Sequence, residues 1–147
     1  MDKKKLKQYR ALQKEIPKIK KDISKLQDRM LDVPTVAGKV TKSSDSFPYI
    51  LEHVKVEMAE PKQATEIGKQ IRVKELRLEK AERDKTEIEQ FIAGIEDSTD
   101  RQIFELYYLE GMKQEQVADA CLMERSNVSK RINHVLQLSH NSQNNVL

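Results

Sequence analysis

The sequence predicts an all-α protein, with long N-terminal helices (hairpin or coiled coil) followed by a C-terminal helix-turn-helix domain. Three observations predict it. The 147 residues hold only four Gly and four Pro. Charged residues make up 35% and aromatics 5%, with no Trp, too little bulky apolar surface for one thick globular core. Apolar residues also recur at alternating three- and four-residue spacing along two long stretches.

Residues 3–32 carry the first stretch. Leu12, Ile16, Ile19, Ile23, Leu26 and Met30 fall on one seam, with Lys and Asp on the other faces. Pro17 leaves two readings. Either a helix kinks there, because proline removes one hydrogen bond and crowds the preceding turn, or the long helix starts near Pro17 as a first-turn proline. Residues 33–61 break the pattern with Pro34, Gly38, Ser43, Ser44, Pro48 and Pro61, and read as a linker. Within it, Val54, Val56 and Met58 alternate with polar residues, so 49–58 suits a short strand or extended arm. One strand makes no sheet, so it would need a partner strand, another subunit being one source.

Residues 62–95 carry the second stretch. Ile67, Ile71, Leu78, Ala81, Ile88, Ile92 and Ile95 follow a seam that Lys74 and Lys85 interrupt. Interspersed charges, such as Glu79 and Arg83 one turn apart, suit a solvated outer face. Neither amphipathic helix can bury its stripe alone. They would pack as a hairpin or associate as a coiled coil, and 62–95 is the expected oligomerisation helix, with a dimer favoured.

Residues 96–140 form the expected C-terminal domain, and 141–147 a flexible tail. Asp97, Ser98 and Thr99 are capping residue types, and Thr99 with Gln102 matches a capping box. An apolar run from Ile103 to Leu109 ends at Gly111, which supplies a left-handed stop. A short helix fits 114–121, a tight turn 122–124 and a third helix 125–139. Two short helices joined by so short a turn are the helix-turn-helix pattern. Ala118 is small where the helices meet, and Val117, Met123, Val128 and Ile132 close a small core. The turn has Leu122 at the position that usually holds glycine, which predicts a distorted turn, since leucine takes a positive φ only at a cost.

Charge distribution points to the chemistry. The net charge is +3, but residues 1–25 hold ten Lys and Arg against three acids. Residues 96–110 reverse this, with five acids against Arg101 alone. Residues 125–136 hold Arg125, Lys130 and Arg131 and no acid. A helix presenting such a face suits a major groove: Arg reads guanine or phosphate, Asn reads adenine, and Ser reads either. Free N–H groups at helix starts favour phosphate oxygens. The expected DNA-binding residues are therefore Lys113, Gln114, Arg125, Ser126, Asn127, Ser129, Lys130, Arg131 and His134. Tyr107 and Tyr108 read as core and helix-surface residues. The basic N-terminus reads first as a solvated helix end and second as a segment that tracks DNA phosphates.

Other chemistry finds little support. Cys121 is the only cysteine and reads as a small apolar residue. His53, His134 and His140 are scattered with no carboxylate at metal-ligand spacing. There is no Gly-rich phosphate loop and no pocket-like pairing of acids. No enzyme, no cofactor and no metal are expected. The basic start lacks the apolar stretch of a signal peptide, and no apolar run is long enough to span a bilayer, so a cytoplasmic protein without membrane contact is expected.

One stretch carries a resemblance. DRQIFELYYLEGMKQEQVAD over residues 100–119 resembles region four of the sigma-70 type of sigma factor, and NVSKRI over 127–132 is similar to its recognition helix. The Lys/Leu-rich start, the central SSDSFPY of residues 43–49 and a charged helix widen this to the sigma-region-four-like late regulators of Gram-positive phages, the ArpU and RinA types. The resemblance implies promoter or operator binding in a phage or prophage, with RNA polymerase as a further partner. Sigma regions two and three have no counterpart, so promoter melting and core clamping should be absent.

Three functions compete. The first is a sequence-specific double-stranded DNA-binding transcription regulator. The second is a DNA-packaging protein of the small terminase kind, which would form a ring of many subunits. The third is a coiled-coil adaptor whose C-terminal domain binds a protein such as RNA polymerase, a reading motivated by the acidic stretch 96–110.

Overall fold

The computed structural model describes residues 1–33, 35–41, 53–59 and 61–144. The central stretch 43–49 that widened the resemblance lies outside them, as do residues 49–52 and 145–147. Helices dominate. They are α1 (Lys3–Lys7), α2 (Tyr9–Leu31), α3 (Pro61–Ala93), α4 (Ser98–Phe104), α5 (Gln114–Ala120) and α6 (Arg125–Asn144). A π-helical segment, Glu105–Leu109, continues directly from α4. Two strands, β1 (Thr35–Thr41) and β2 (His53–Ala59), interrupt the helical series.

The chain divides into two units, Met1–Lys18 with Leu78–Leu147, and Ile19–Arg77. This division cuts across the segments drawn from the sequence. In the second unit, β1 and β2 pair antiparallel, with Thr35 opposite Ala59 and Thr41 opposite His53. The partner strand that 53–59 needed comes from the same chain and not from another subunit. The sequence did not mark β1 because Ala37 and Gly38 break its run of β-branched residues. Leu26, Val33 and Ile67 form a small core, with Met30 and Ile71 against it. Lys74, which interrupts the α3 seam, stands 3.4 Å from Asp22, so its charge is paired where its stem is half-buried.

The first unit holds the larger core. Leu6, Tyr9, Leu12 and Ile16 from the chain start pack with Ala81, Ile88 and Ile92 of α3. The same cluster takes in Ile103, Phe104, Val117, Val128, Ile132 and Leu136 of the C-terminal helices. Helix α1 and the first part of α2, through Lys18, thus belong to the unit that holds the helix-turn-helix. Burying each of Leu6, Ile88 and Phe104 contributes about 1.5–3 kcal/mol, which explains why the amphipathic stripes close on one another within the chain. Aromatic edges knit the centre: Phe91 meets Phe104 at 6.2 Å and Phe104 meets Tyr108 at 5.4 Å between centroids.

Polar contacts fix the same arrangement. Tyr9 donates its hydroxyl to Glu89 at 2.9 Å, and burial together with that carboxylate raises its pKa. Lys5 pairs with Asp84 and Glu87 of α3 and holds the Glu87 carboxyl below its usual range. The Met1 amino group donates to Ser139 Oγ of α6 at 3.1 Å. Pro17 lies inside α2, helical on both sides, so the long helix does not begin there.

Candidate nucleic-acid interface

The C-terminal domain starts at a cap two residues before the Thr99 of the expected capping box. Asp97 is the N-cap of α4, and its carboxylate accepts from the Asp100 backbone N–H at 2.9 Å. The Thr99–Gln102 box does not form; Gln102 donates to Ser98 Oγ at 3.4 Å instead. An ionised aspartate makes a stronger acceptor than a hydroxyl at a helix start, where the dipole favours negative charge. Arg101 donates to the Ile95 carbonyl at 2.9 Å and ties α4 to the end of the preceding segment.

The first stop holds as expected. Gly111 adopts φ +74 after the π-helical segment, and Met112 N–H closes the turn on the Leu106 carbonyl at 3.0 Å. Arg10 of α2 donates to the Leu109 carbonyl at 3.3 Å, satisfying one of the acceptors a helix end leaves open. Tyr108 is buried here, and burial, with Tyr107 beside it, pushes its pKa up to about 12. Tyr107 is half-buried and meets Tyr108 edge-on at 4.7 Å.

α5 opens at Lys113, whose backbone N–H donates to Gln116 Oε1 at 3.1 Å. It closes in a Schellman turn. Met123 N–H returns to the Ala118 carbonyl at 3.0 Å and Leu122 N–H to that of Asp119 at 3.4 Å. The turn is regular, not distorted, and Leu122 itself takes the left-handed conformation, φ +55. Its side chain is 94% exposed, so nothing in the core opposes the strained backbone. Cys121 is half-buried at the helix end and packs against the core.

α6 leaves this turn at a bend and runs through Asn144, past the end expected for it and into the stretch read as a tail. Val128, Ile132 and Leu136 face inward, and Val117 and Ala118 of α5 are buried with them. That phase sets the outer face. Arg125, Ser126, Asn127, Lys130, Arg131 and His134 are exposed, Ser129 half-buried. On α5, Lys113 is exposed and Gln114 half-buried.

The expected site residues do not all gather in one place. Lys113, Gln114 and Arg125 line one polar cleft of about 530 Å³ with Tyr107, Met112 and Glu115. Arg125 stands 3.3 Å from Glu115 across it. Arg131 reaches the α4 cap, 2.9 Å from Asp100 and 3.4 Å from Asp97. His134 lines a different cleft, of about 720 Å³, with Phe91, Asp97, Asp100 and Leu138. Ser126, Asn127 and Lys130 remain on the open face with no charged partner among the described residues. The sequence showed an acidic helix and a basic helix but gave no sign that Asp97 and Asp100 would meet Arg131. Arg10 was missed as a neighbour of this domain for the same reason: its partner lies 99 residues away.

Among the described residues no three His, Cys, Asp or Glu side chains gather to hold a metal ion. No helix among them is long and apolar enough to cross a membrane.

Comparison with known proteins agrees with this geometry over one part of the chain. Residues 97–138 match the family model of Sigma-70, region 4. The matched span begins at the Asp97 cap and ends inside α6, so it takes in α4, the Gly111 stop, α5 and the larger part of α6. No curated protein and no solved structure matches the chain. The C-terminal domain is a sigma region-four-like helix-turn-helix, which suggests DNA-binding transcription regulation.

Proposed function

We propose that this protein binds double-stranded DNA sequence-specifically and regulates transcription at a promoter or operator, in a phage or prophage and in the cytoplasm of the bacterial host. One observation carries the reading. α6 leaves a Schellman turn at a bend, buries Val128, Ile132 and Leu136, and exposes Ser126, Asn127 and Lys130 beside Arg125. A helix held this way fits the major groove, with Asn127 and Ser126 placed for base edges and Lys130 for phosphate. The family match over residues 97–138 supports it independently. Lys113 and Gln114, at the start of α5, would meet the phosphates flanking the groove.

Arg131 takes a different part in this proposal. Held by Asp97 and Asp100, it orients α6 against α4, while Lys130 meets the duplex. A homodimer reading two half-sites is the assembly we favour, because spaced half-sites multiply a modest single-domain affinity. RNA polymerase is the further partner we propose for a regulator of this type.

Selection of bound sequences from a random duplex pool tests the main reading. A consensus should emerge, and Asn127→Ala should relax it at one position, costing about 1–3 kcal/mol against the preferred base. Recovery of random sequence, with equal affinity for any duplex, would sink the proposal. Light scattering on the same material separates a dimer from the many-subunit ring of a packaging protein.

A further inference from the structure

The matched domain is poorly charged for the partner proposed. Residues 97–138 hold seven acids against five Lys and Arg, a net charge of −2. Three of the five cations already have partners: Arg101 on the Ile95 carbonyl, Arg125 on Glu115, and Arg131 on Asp97 and Asp100. Phosphate neutralisation supplies essentially all non-specific affinity for DNA, so Lys113 and Lys130 alone leave it thin.

The missing charge sits on the N-terminal helices of the same unit. Residues 1–18 hold seven Lys and Arg against two acids. Five of the cations, Lys3, Lys7, Arg10, Lys14 and Lys18, follow a spacing of 4, 3, 4 and 4. At about 100° per residue they fall within an arc of about 80°, over a length of about 22 Å. Leu6, Tyr9, Leu12 and Ile16 take the opposite side into the core, and all five cations are exposed. The side chains of Lys3, Lys7, Lys14 and Lys18 make no hydrogen bond or ion pair among the described residues. Lys5, on another face, is the one that pairs with α3.

The stripe also has a fixed junction with the helix-turn-helix. Its middle member, Arg10, donates to the Leu109 carbonyl and lies against Gly111, two residues before Lys113 at the start of α5. A cationic row that serves only solubility needs no such anchor.

We infer that Lys3, Lys7, Lys14 and Lys18 form a second, sequence-independent contact with the DNA phosphate backbone, continuing the footprint from Lys113. The inference rests on the DNA-binding reading and names the source of its affinity. Charge complementarity chooses the occupant: a row of regularly spaced single cations suits a regularly spaced row of phosphates. Helix α6 then reads bases while the N-terminal helices hold the duplex.

The test measures binding of the full chain to its selected site and to random duplex across a salt series. Two sets of substitutions are compared, Lys3, Lys7, Lys14 and Lys18 all to Gln, or all to Arg. Gln has helix propensity close to that of Lys, so the exposed face should tolerate it, and circular dichroism checks folding. Each phosphate contact contributes about 0.9 to the slope of log K against log[salt]. The Gln set should flatten the slope by about 2–4 and weaken both duplexes by the same factor, tenfold or more at low salt. The Arg set should keep the slope. A Gln set with unchanged slope overturns the inference while leaving the DNA-binding reading intact. The same holds if the stripe captures poly-glutamate and leaves DNA affinity untouched, which would assign it to an acidic protein. Wild-type binding without sequence preference, but with the slope change, would overturn the regulator and keep the stripe.

Discussion

The two helix stops of the C-terminal domain share a backbone conformation and differ in everything else. Gly111 sits at φ +74 and Leu122 at φ +55. At Gly111 the space is taken: a Cβ there would lie 2.8 Å from Arg10 Nε. At Leu122 it is open, with the side chain 94% exposed. A left-handed residue with a side chain costs about 1–2 kcal/mol in either place. Only Gly111 adds a contact that a side chain would break. The difference teaches that glycine at a helix stop answers two demands, backbone freedom and close approach. Where only the first applies, a hydrogen-bonded Schellman turn can hold leucine against the strain.

The largest effect separates the stops by pH. Tyr108 is buried at the Gly111 stop with a pKa near 12, against 10.0 for the ordinary phenol. Above pH 10 the unfolded chain loses the phenolic proton while the folded chain keeps it, so stability falls as pH rises. The loss should approach about 1.4 kcal/mol per pH unit between the two values. Denaturant melts from pH 9 to 12, with phenolate absorbance followed in parallel, read this directly. A Tyr108→Phe variant with the same alkaline loss would remove Tyr108 as the cause.

Gly111→Ala comes next. The left-handed penalty adds to displacement of Arg10 from the Leu109 carbonyl, a loss of about 2 kcal/mol in all. Arg10→Ala in the same background should recover part of it, which a double-mutant cycle measures. Additive changes would show that the close approach at Gly111 does not matter.

The smallest effect runs the other way. Leu122→Gly relieves the strained turn but frees the unfolded chain, leaving a net gain of about 0.5 kcal/mol. Leu122→Asn avoids much of that entropy and should gain at least as much. A melting temperature that falls in both variants would mean Leu122 makes a contact its exposure does not suggest.

Legibility followed sequence distance. The alternation of Leu12, Ile16, Ile19, Ile23 and Leu26 marked one helix face, and all five are buried. Val117, Ala118, Val128 and Ile132 marked the inner side of the helix-turn-helix, and they too are buried. Each of these signals lies within a few turns, where side-chain phase is fixed by the backbone itself. The Thr99–Gln102 box gave way to the Asp97 cap because Asp97, Ser98 and Thr99 are all capping residue types, and sequence cannot say which one the chain places at the start. β1 was missed because a strand's partner contributes as much as its own residues do.

The sequence by itself determined the helical class, the two stops, the inward face of α6 and the family to which residues 97–138 are matched. Periodicity, capping chemistry and glycine are local properties, and a short stretch of chain expresses them without help. Tertiary structure alone decided that residues 1–18 share a core with the helix-turn-helix, that Arg10 meets Gly111, and that Arg131 turns to Asp97 and Asp100. Those outcomes depend on which apolar stripe covers which, a choice among nearly equal local patterns that only the packing of the whole unit resolves.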